Sequence, residues 1–314
     1  MRVAVLEGGR SLERGVSLRS GAHVREALRR AGHEALAIDA GPELVAQLHE
    51  QAPDIAFVAL HGGEGEDGTV QGVLELLGIP YTGAGPSACM RATDKALAKH
   101  LLGEAGIPTP VFRAFAQDSL EGLGLAAGLP ELERAPGYPL VVKPAHGGSA
   151  LGVKFAASAA ELPSALVAAF SYDDRVVVER YVKGRDLAVS VLDLEASEAI
   201  ALPIVEAIPR EQDFYAYESR YEIGMTTFVC PAELPEEITL RAQELALATY
   251  RLLGCHGVAR IDLLLEEESA EPTVLEANVV PGLTETSLLP QAAEAAGIDF
   301  DALVGRILQS AFTR

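Results

Sequence analysis

Two short segments near the C-terminal end carry the residue types and spacing of a metal site. In Arg260-Ile261-Asp262 the charged residues are two apart, and in Glu276-Ala277-Asn278 a carboxylate and an amide have the same spacing. Residues two apart point to one face of a β-strand. If the strands are neighbours, Asp262, Glu276 and Asn278 form an oxygen-rich cluster of the kind that Mg²⁺ prefers together with phosphate oxygens. The alternative is a pair of edge strands with solvated polar faces.

A glycine-rich loop is the second candidate. The apolar run Leu140–Val142 leads into Lys143-Pro144-Ala145-His146-Gly147-Gly148-Ser149. Glycines let backbone N–H groups close around phosphates, and a lysine at a strand end supplies a point charge. The lysine precedes the glycines, so this is not a Walker A motif, and an ordinary hairpin turn is the alternative. Lys95 is a second candidate phosphate lysine or a solvated surface residue.

Two glutamates could recognise other parts of a ligand. Glu179 follows three valines, and a carboxylate at a strand end can accept a hydrogen bond from an adenine amino group. It could equally be the solvated end of a strand. Glu13 lies just after Gly8-Gly9, where it either complements a helix dipole or accepts a hydrogen bond from a ligand ammonium group. The residues alone leave both alternatives open.

The segment Phe214–Tyr221 contains three tyrosines and an arginine without a helix or strand pattern. An aromatic loop of this kind is either a lid or a partner-binding patch. The lid is favoured if the phosphate site exists.

Composition excludes several classes of protein. The 314 residues include 25 Lys+Arg and 45 Asp+Glu, a formal net charge of −20. This charge disfavours a general nucleic-acid binder, which needs a basic surface. No apolar run reaches the roughly 18 residues that a membrane span requires. The cysteines Cys89, Cys230 and Cys255 are odd in number and widely spaced, so we expect buried thiols in a cytoplasmic protein without contact to membrane or nucleic acid.

The elements that must position these residues follow from the hydrophobic pattern. In the first third, the runs Val3–Leu6, Ala35–Ile38 and Ile55–Leu60 alternate with helical patterns, which predicts a parallel sheet with βαβ crossovers. Ligands bind beyond the carboxyl ends of such strands. In the middle third of the chain, the pattern predicts an α+β unit around the glycine-rich loop. The last third predicts alternating strands, the aromatic loop, a helix over Glu236–Leu253 and two further helices.

Together these segments resemble the D-alanine–D-alanine ligases of the ATP-grasp superfamily along essentially the whole chain. Each motif is weak alone, but their order and spacing are specific. In chain order the motifs are Glu7-Gly8-Gly9, Glu13-Arg14, Val16-Ser17-Leu18, His61-Gly62, Gly65-Glu66-Asp67-Gly68-Thr69, Tyr81-Thr82-Gly83, Asp94-Lys95, Val142-Lys143-Pro144, Gly148-Ser149, Tyr217-Glu218, Tyr221, Cys230-Pro231-Ala232, Arg260-Ile261-Asp262, Leu275-Glu276-Ala277-Asn278, Pro281-Gly282 and Ser287-Leu288.

The resemblance implies an α/β and α+β fold with three ATP-grasp-type domains, the first with a Rossmann-like parallel sheet. The implied domains are residues 1–92 for substrate, 93–183 as the central ATP-grasp domain and 184–314 as the catalytic domain, with a lid at 209–226. ATP would lie between the last two domains. Its implied ligands are Lys95, Lys143, Glu179, Val182 through its backbone, and Asp186. Asp262, Glu276 and Asn278 would hold two Mg²⁺ ions, with Mn²⁺ as an alternative metal.

The implied reaction joins two D-alanines through an acyl phosphate, for peptidoglycan precursor synthesis by a homodimer. Glu13 would bind the first ammonium group with Ser149 and Tyr221, and His61 would lie near the same substrate. Arg260 and the Gly282 N–H would stabilise the oxyanion. The remaining implied substrate contacts are Arg220, Ser287 and Leu288.

A few departures from the family pattern bear on the second substrate and on the nucleotide. Arg220 stands where lysine is usual, Asp186 replaces a glutamate, and Ala150 and Val279 replace a serine and a threonine. Tyr221 is absent from relatives that make D-alanyl-D-lactate, so its presence favours an amine nucleophile over a hydroxyl.

Three other functions are alternatives to a D-alanine–D-alanine ligase. An ATP-grasp ligase with D-serine or another amino acid as acceptor keeps the fold and the chemistry. A dinucleotide-dependent oxidoreductase is disfavoured because Gly8-Gly9 lacks the spaced glycines of that fingerprint. A catalytically silent ATP-binding regulator is disfavoured because a pure binder needs no metal cluster.

Overall fold

The computed structural model describes residues 1–193, 198–209 and 226–313. Within these residues the chain forms three sheets flanked by helices. The strands are β1 Arg2–Glu7, β2 Glu34–Asp39, β3 Ile55–Val58, β4 Phe112–Ala116, β5 Leu140–Pro144, β6 Lys154–Ala156, β7 Arg175–Arg180, β8 Gly184–Asp193, β9 Ala199–Ala201, β10 Val205–Pro209, β11 Thr226–Val229, β12 Val258–Glu266 and β13 Pro272–Asn278. The helices are α1 Arg14–Arg30, α2 Leu44–Gln51, α3 Thr69–Leu77, α4 Pro86–Thr93, α5 Lys95–Glu104, α6 Gln117–Gly122, α7 Leu162–Phe170, α8 Glu236–Leu253, α9 Leu288–Ala295 and α10 Phe300–Ser310.

The N-terminal sheet is parallel, with the order β2-β1-β3. Its central strand is almost wholly buried because helices or other strands cover both faces, which is the usual environment of parallel strands. The predicted βαβ sheet is therefore confirmed. Strand β3 ends at Val58, two residues before the end of the predicted run. Beyond it the chain enters a second segment with several glycines, which begins at His61-Gly62.

The central sheet is antiparallel, with the order β4-β7-β5-β6. Strand β5 carries Lys143 and β7 carries Glu179, and the register places Val141 opposite Glu179 and Lys143 opposite Val177. Helix α5 begins at Lys95, where the Asp94 side chain accepts a hydrogen bond from the Leu97 N–H at 3.0 Å and so caps the helix.

The third sheet has six described strands in the order β11-β10-β8-β12-β13, with β9 paired to β8. Strand β8 is its central strand and pairs with β12 over nine residues of register from Val258 to Glu266. The helix α8 covers one face, and its boundaries are those predicted from the sequence.

The apolar cores do not follow the chain in simple order. Two clusters combine residues of the N-terminal sheet with residues of the third sheet and its helices, such as Val3 with Val304 and Leu6 with Val189. A separate cluster lies under the central sheet and includes Leu140 and Val178. The three-domain division at residues 1–92, 93–183 and 184–314 stays a prediction. Within the described residues, no helix combines the length and the apolarity that crossing a membrane demands.

Candidate active site

The predicted neighbourhood of β12 and β13 is present in the third sheet. The register pairs Asp262 with Glu276 and Arg260 with Asn278, and a bulge follows Asp262. All four side chains line one cavity. The period of two along both strands is what brings the four polar groups to the same face.

Two carboxylates directly opposite each other repel unless a cation lies nearby. Here Arg260 forms a two-pronged ion pair with Asp262, with Nε and a terminal nitrogen 2.6 and 2.7 Å from the carboxylate oxygens. The Lys95 Nζ lies 3.8 Å from a Glu276 oxygen. The acidic pair therefore sits in a cationic setting that already compensates part of its charge.

The donor set of this pair suits a hard divalent cation. Carboxylate and amide oxygens are the protein ligands that Mg²⁺ takes. Asn278 Oδ1 accepts a hydrogen bond from the Val280 N–H at 2.9 Å, which fixes its orientation and leaves a second lone pair. In the described part of the chain no group of three or more His, Cys, Asp or Glu side chains could hold a metal, so any metal here relies on the amide oxygen as its third protein ligand.

A cavity of ≈ 990 Å³, counted with its open mouth, lies between the central sheet and the third sheet. One wall comes from β5, β7 and the glycine-rich loop, and the other from β8, β12 and β13. All of the predicted nucleotide ligands line it: Lys95, Lys143, Glu179, Val182 and Asp186.

The inner wall of this cavity holds a buried charge network. Glu179 Oε1 lies 2.6 Å from the Lys143 Nζ, and Glu179 Oε2 lies 2.8 Å from the Lys99 Nζ. Burial by itself would raise the pKa of Glu179, but the two lysines outweigh burial and leave the pKa below its ordinary value. Glu179 is therefore an ionised acceptor and not a solvated strand end, which was the alternative that the sequence left open.

Burial lowers the pKa of both lysines on α5. For Lys99, whose side chain is wholly buried, the pKa falls to about 8 despite the attraction of Glu179. For Lys95 the pKa also lies below its ordinary value, although Glu276 opposes the shift. Lys95 is thus buried at the cavity wall, and the solvated alternative for this residue is wrong.

Four residues of the glycine-rich loop have a left-handed backbone. Gly147, Ser149, Ala150 and Gly152 have φ values of 94°, 55°, 58° and 74°. Such φ values are uncommon for Ser and Ala and cluster at functional sites.

Two contacts hold this loop in place. The Lys95 ammonium donates a hydrogen bond to the Gly147 carbonyl. Asp173 accepts one from the His146 N–H at 2.7 Å and contacts the His146 ring nitrogen at 2.9 Å. Burial alone would raise the pKa of Asp173, but these hydrogen bonds, together with one from the Arg175 N–H, leave the pKa below its ordinary value.

A second cavity adjoins the first and lies against the N-terminal sheet. The two cavities share Gly148, Asp186, Leu275 and Glu276 in their linings. The second cavity contains the predicted substrate and catalytic residues of the described chain, namely Glu13, His61, Ser149, Arg260, Gly282, Ser287 and Leu288. Tyr221 and Arg220 lie outside the described residues.

Glu13 connects this cavity to the glycine-rich loop. Its carboxylate accepts a hydrogen bond from the Ser149 hydroxyl, and the residue is only 6% exposed. A Cβ at Gly62 would lie 2.5 Å from Glu13 Oε2, so only glycine lets the carboxylate occupy this position. Glu13 therefore faces the cavity as a buried carboxyl group and is not a surface glutamate at a helix start.

Ser20 links the N-terminal sheet to the loop after β13. Its Oγ lies 2.9 Å from His61 Nε2 and accepts a hydrogen bond from the Leu283 N–H at 3.2 Å. In the same loop the Ser287 Oγ accepts a hydrogen bond from the Thr284 N–H at 3.0 Å. A Cβ at Gly282 would lie 2.6 Å from Ser287 Oγ, so the backbone approaches Ser287 closely there.

Sequence reasoning missed three residues that support the site: Lys99, Asp173 and Ser20. Lys99 follows Lys95 by one helical turn, so the i, i+4 spacing of two lysines was the signal available for it. Asp173 and Ser20 carry no such signal, since each acts on a segment distant in the chain.

Comparisons with known proteins agree along the whole chain. The family profile "D-ala D-ala ligase C-terminus" matches residues 101–309 and "D-ala D-ala ligase N-terminus" matches residues 40–84. The D-alanine–D-alanine ligase of Syntrophotalea carbinolica is 44% identical, over 100% of this chain and 97% of its own. The crystal structure of the Bacillus anthracis D-alanine–D-alanine ligase complexed with ATP aligns with TM-score 0.83 and 35% identity, covering 100% of this chain and 97% of that one. The VanG D-Ala:D-Ser ligase of Enterococcus faecalis aligns with TM-score 0.82 and 28% identity, covering 99% of both chains.

A cavity between two sheets, with lysines and a glycine-rich loop on one wall and Glu276 on the other, together with the aligned ATP-complexed ligase, indicates the ATP-grasp class of fold. The match to both halves of one family, and identity of 44% over the full chain, are more specific. This chain belongs to the D-alanine–D-alanine ligase family.

Proposed function

We propose that this chain is an ADP-forming ligase that joins two D-alanines to D-alanyl-D-alanine for peptidoglycan precursor synthesis. The observation that carries the proposal is the junction of the two cavities at Glu276, Gly148 and Asp186. A phosphoryl group that leaves a nucleotide in the first cavity emerges beside a substrate in the second. The relatives named above are D-alanine ligases, which supplies the substrate class.

The first step is phosphoryl transfer. A carboxylate oxygen of the first D-alanine attacks the γ-phosphorus of ATP, ADP leaves, and the carboxylate becomes an acyl phosphate. Such transfers depend mainly on positioning and on neutralisation of charge. Lys143, Lys95 and the N–H groups of the glycine-rich loop would hold the phosphates, while Glu179, the Val182 backbone and Asp186 would hold adenine and ribose.

Asp262, Glu276 and Asn278 would hold Mg²⁺ at the junction, with Mn²⁺ as an alternative, and their oxygen donors fit such an ion. When bound, the metal supplies charge neutralisation on the transferred phosphate. Asp262 would serve both the metal and Arg260. The ion pair between Asp262 and Arg260 holds the guanidinium group in the second cavity, beside the proposed metal site.

The second step forms the amide. The amine of the second D-alanine attacks the acyl carbon, loses a proton, and inorganic phosphate leaves. Arg260 and the Gly282 N–H would stabilise the oxyanion between these events. Glu13, with Ser149, would bind the first ammonium group beside His61, and Ser287 and Leu288 would receive the second carboxylate. By the family resemblance, Tyr221 and Arg220 would complete the set.

The acceptor is the finer question within this proposal. A D-Ala:D-Ser ligase shares the fold at 28% identity, so D-serine or another amino acid is the second candidate acceptor. The higher identity to D-alanine ligases favours D-alanine. We also propose a homodimer formed through the N-terminal domain, which the resemblance supports and light scattering tests, and a cytoplasmic location, where ATP is available.

The deciding experiment measures phosphate release from Mg-ATP with D-alanine alone, and with D-alanine paired with D-serine, D-lactate or L-alanine, with the product identified by mass. The dipeptide mass from D-alanine alone supports the proposal. Release only with another pair moves the function to the second candidate. ATP binding without release from any pair would contradict both and favour a binding protein.

A further inference from the structure

Lys99 is a buried cation that neither cavity contacts. It lies on α5 one turn after Lys95, its side chain has 0% exposure, and it is absent from both cavity linings. Its Nζ lies 2.8 Å from Glu179 Oε2, donates a hydrogen bond to Thr109 Oγ1 at 2.7 Å, and lies 5.7 Å from the centre of the Phe112 ring. Lysine is almost never fully buried unless a partner holds it there.

Glu179 has two cations where one would neutralise it. Lys143 contacts the oxygen Oε1 at 2.6 Å from the cavity side, and Lys99 contacts the other oxygen, Oε2, from behind. A lysine that serves nucleotide phosphates must be able to leave Glu179 when ATP binds. A buried carboxylate that lost its sole cation would be strongly destabilised, and would either recapture the lysine or take up a proton.

We infer that Lys99 is a positioning residue: it is the permanent counter-ion of Glu179, which frees Lys143 for the phosphates and keeps Glu179 an ionised acceptor for the purine 6-amino group. An ionised carboxylate accepts hydrogen bonds but donates none. An ionised Glu179 would therefore accept a hydrogen bond from the 6-amino group of ATP, and it would repel the 6-oxo group of ITP, which is itself an acceptor. This inference rests on the proposed function, because it assumes that ATP occupies the first cavity.

The test compares Lys99→Met with the wild type in equilibrium binding of ATP and ITP, without D-alanine, and in steady-state ligation. Lys154→Met is the matched control, because Lys154 is an exposed lysine of the same domain on β6. We expect Lys99→Met to raise the Kd for ATP by about 10- to 100-fold, since Glu179 then retains Lys143. The preference for ATP over ITP falls by about 10-fold, because a nucleotide then binds only when its phosphates draw Lys143 away, and Glu179 without either lysine takes up a proton more readily. The kcat at saturating ATP stays near the wild-type value, and the control changes none of these quantities.

A double-variant cycle separates this role from loss of fold. In Glu179→Gln there is no carboxylate to neutralise, so adding Lys99→Met should leave the preference for ATP over ITP unchanged. This comparison needs only Glu179→Gln and the double variant, so it still tests the inference if Lys99→Met alone does not fold; in the double variant the one cation that loses its carboxylate is Lys143, at the cavity wall. A further fall in preference in the double variant, or a wild-type preference in Lys99→Met, would overturn the inference. A wild-type chain that binds no ATP would instead remove the proposed function, so the two failures are distinguishable.

Discussion

The Ser149 hydroxyl donates a hydrogen bond to the Glu13 carboxylate, which joins the glycine-rich loop to the start of α1 across 136 positions of sequence. One partner lies in the loop that would cover nucleotide phosphates, and the other faces the second cavity. If the loop covers phosphates and Glu13 binds the ammonium group, as proposed, both functions depend on this one contact.

Breaking this contact should reduce ligation more than nucleotide binding. We expect Ser149→Ala to lower kcat/KM for D-alanine by about 10-fold, because a charge-assisted hydrogen bond contributes about 1.5–3 kcal/mol. The Kd for ATP should change little. The exposed Ser164 on α7 gives the control variant Ser164→Ala. In a cycle with Glu13→Gln the two losses should be non-additive, and strict additivity would contradict a functional coupling.

Removal of one carboxylate from the junction should stop turnover and leave the fold intact. Glu276→Gln keeps the shape of the side chain but removes the charge that faces Asp262 and Lys95. We expect turnover to fall by at least about 10²-fold and the Mg²⁺ requirement to rise, as occurs when a metal site is weakened. Phosphate release over a Mg²⁺ titration measures both. The exposed Glu271 on the preceding turn provides Glu271→Gln as the control, and an undiminished rate in Glu276→Gln would remove the metal assignment.

Replacement of Arg260 by lysine should greatly reduce ligase activity. The guanidinium contacts both oxygens of Asp262, and an ammonium group cannot reproduce that fork while also facing the acyl carbon. We expect Arg260→Lys to lower kcat by about 10²–10³-fold, the usual loss for one oxyanion donor. The KM for ATP should stay within a few-fold. The exposed Arg241 on α8 supplies the control Arg241→Lys, and a wild-type kcat in Arg260→Lys would rule out the oxyanion role.

Acid should loosen the glycine-rich loop through Asp173. Its pKa in the fold lies below the ordinary 3.8, so its stabilising contribution is present above about pH 3.8 and is lost as pH falls through the lower value. Asp173→Asn should therefore lower the free energy of unfolding near neutral pH by about 1–3 kcal/mol and flatten the acid limb of the stability curve. Urea unfolding between pH 3 and 7 measures this, with the exposed neighbour Asp174→Asn as control. Parallel curves for Asp173→Asn and the wild type would show that the loop contact does not titrate.

Regular patterns account for what the sequence could predict. The period of two placed Asp262, Glu276 and Asn278 on one face, and the register of β12 with β13 agrees. The alternation of strand and helix patterns predicted the N-terminal parallel sheet that the structure contains.

Contacts between distant segments could not be predicted in the same way. Whether Lys95 and Lys99 face water or a sheet depends on where α5 docks, and no local pattern encodes the Ala145 carbonyl that receives the Lys95 N–H at 2.9 Å. The sharing of Glu179 between two lysines follows only once β5, β7 and α5 are assembled. The aromatic loop around Tyr221 stays a prediction, since it lies outside the described residues.

The central sheet has an apolar core of its own, separate from the cores behind the opposite wall of the first cavity. Lys143, Glu179 and Ser149 belong to the unit built around that core, whereas Asp262 and Glu276 belong to the cores shared by the first and last thirds of the chain. The Ser149–Glu13 hydrogen bond crosses this boundary, whereas Lys95 reaches Glu276 from α5, whose Ala98 and Leu102 pack in the shared core. A movement of the central sheet away from the third sheet would therefore carry Ser149 away from Glu13 without opening the shared core.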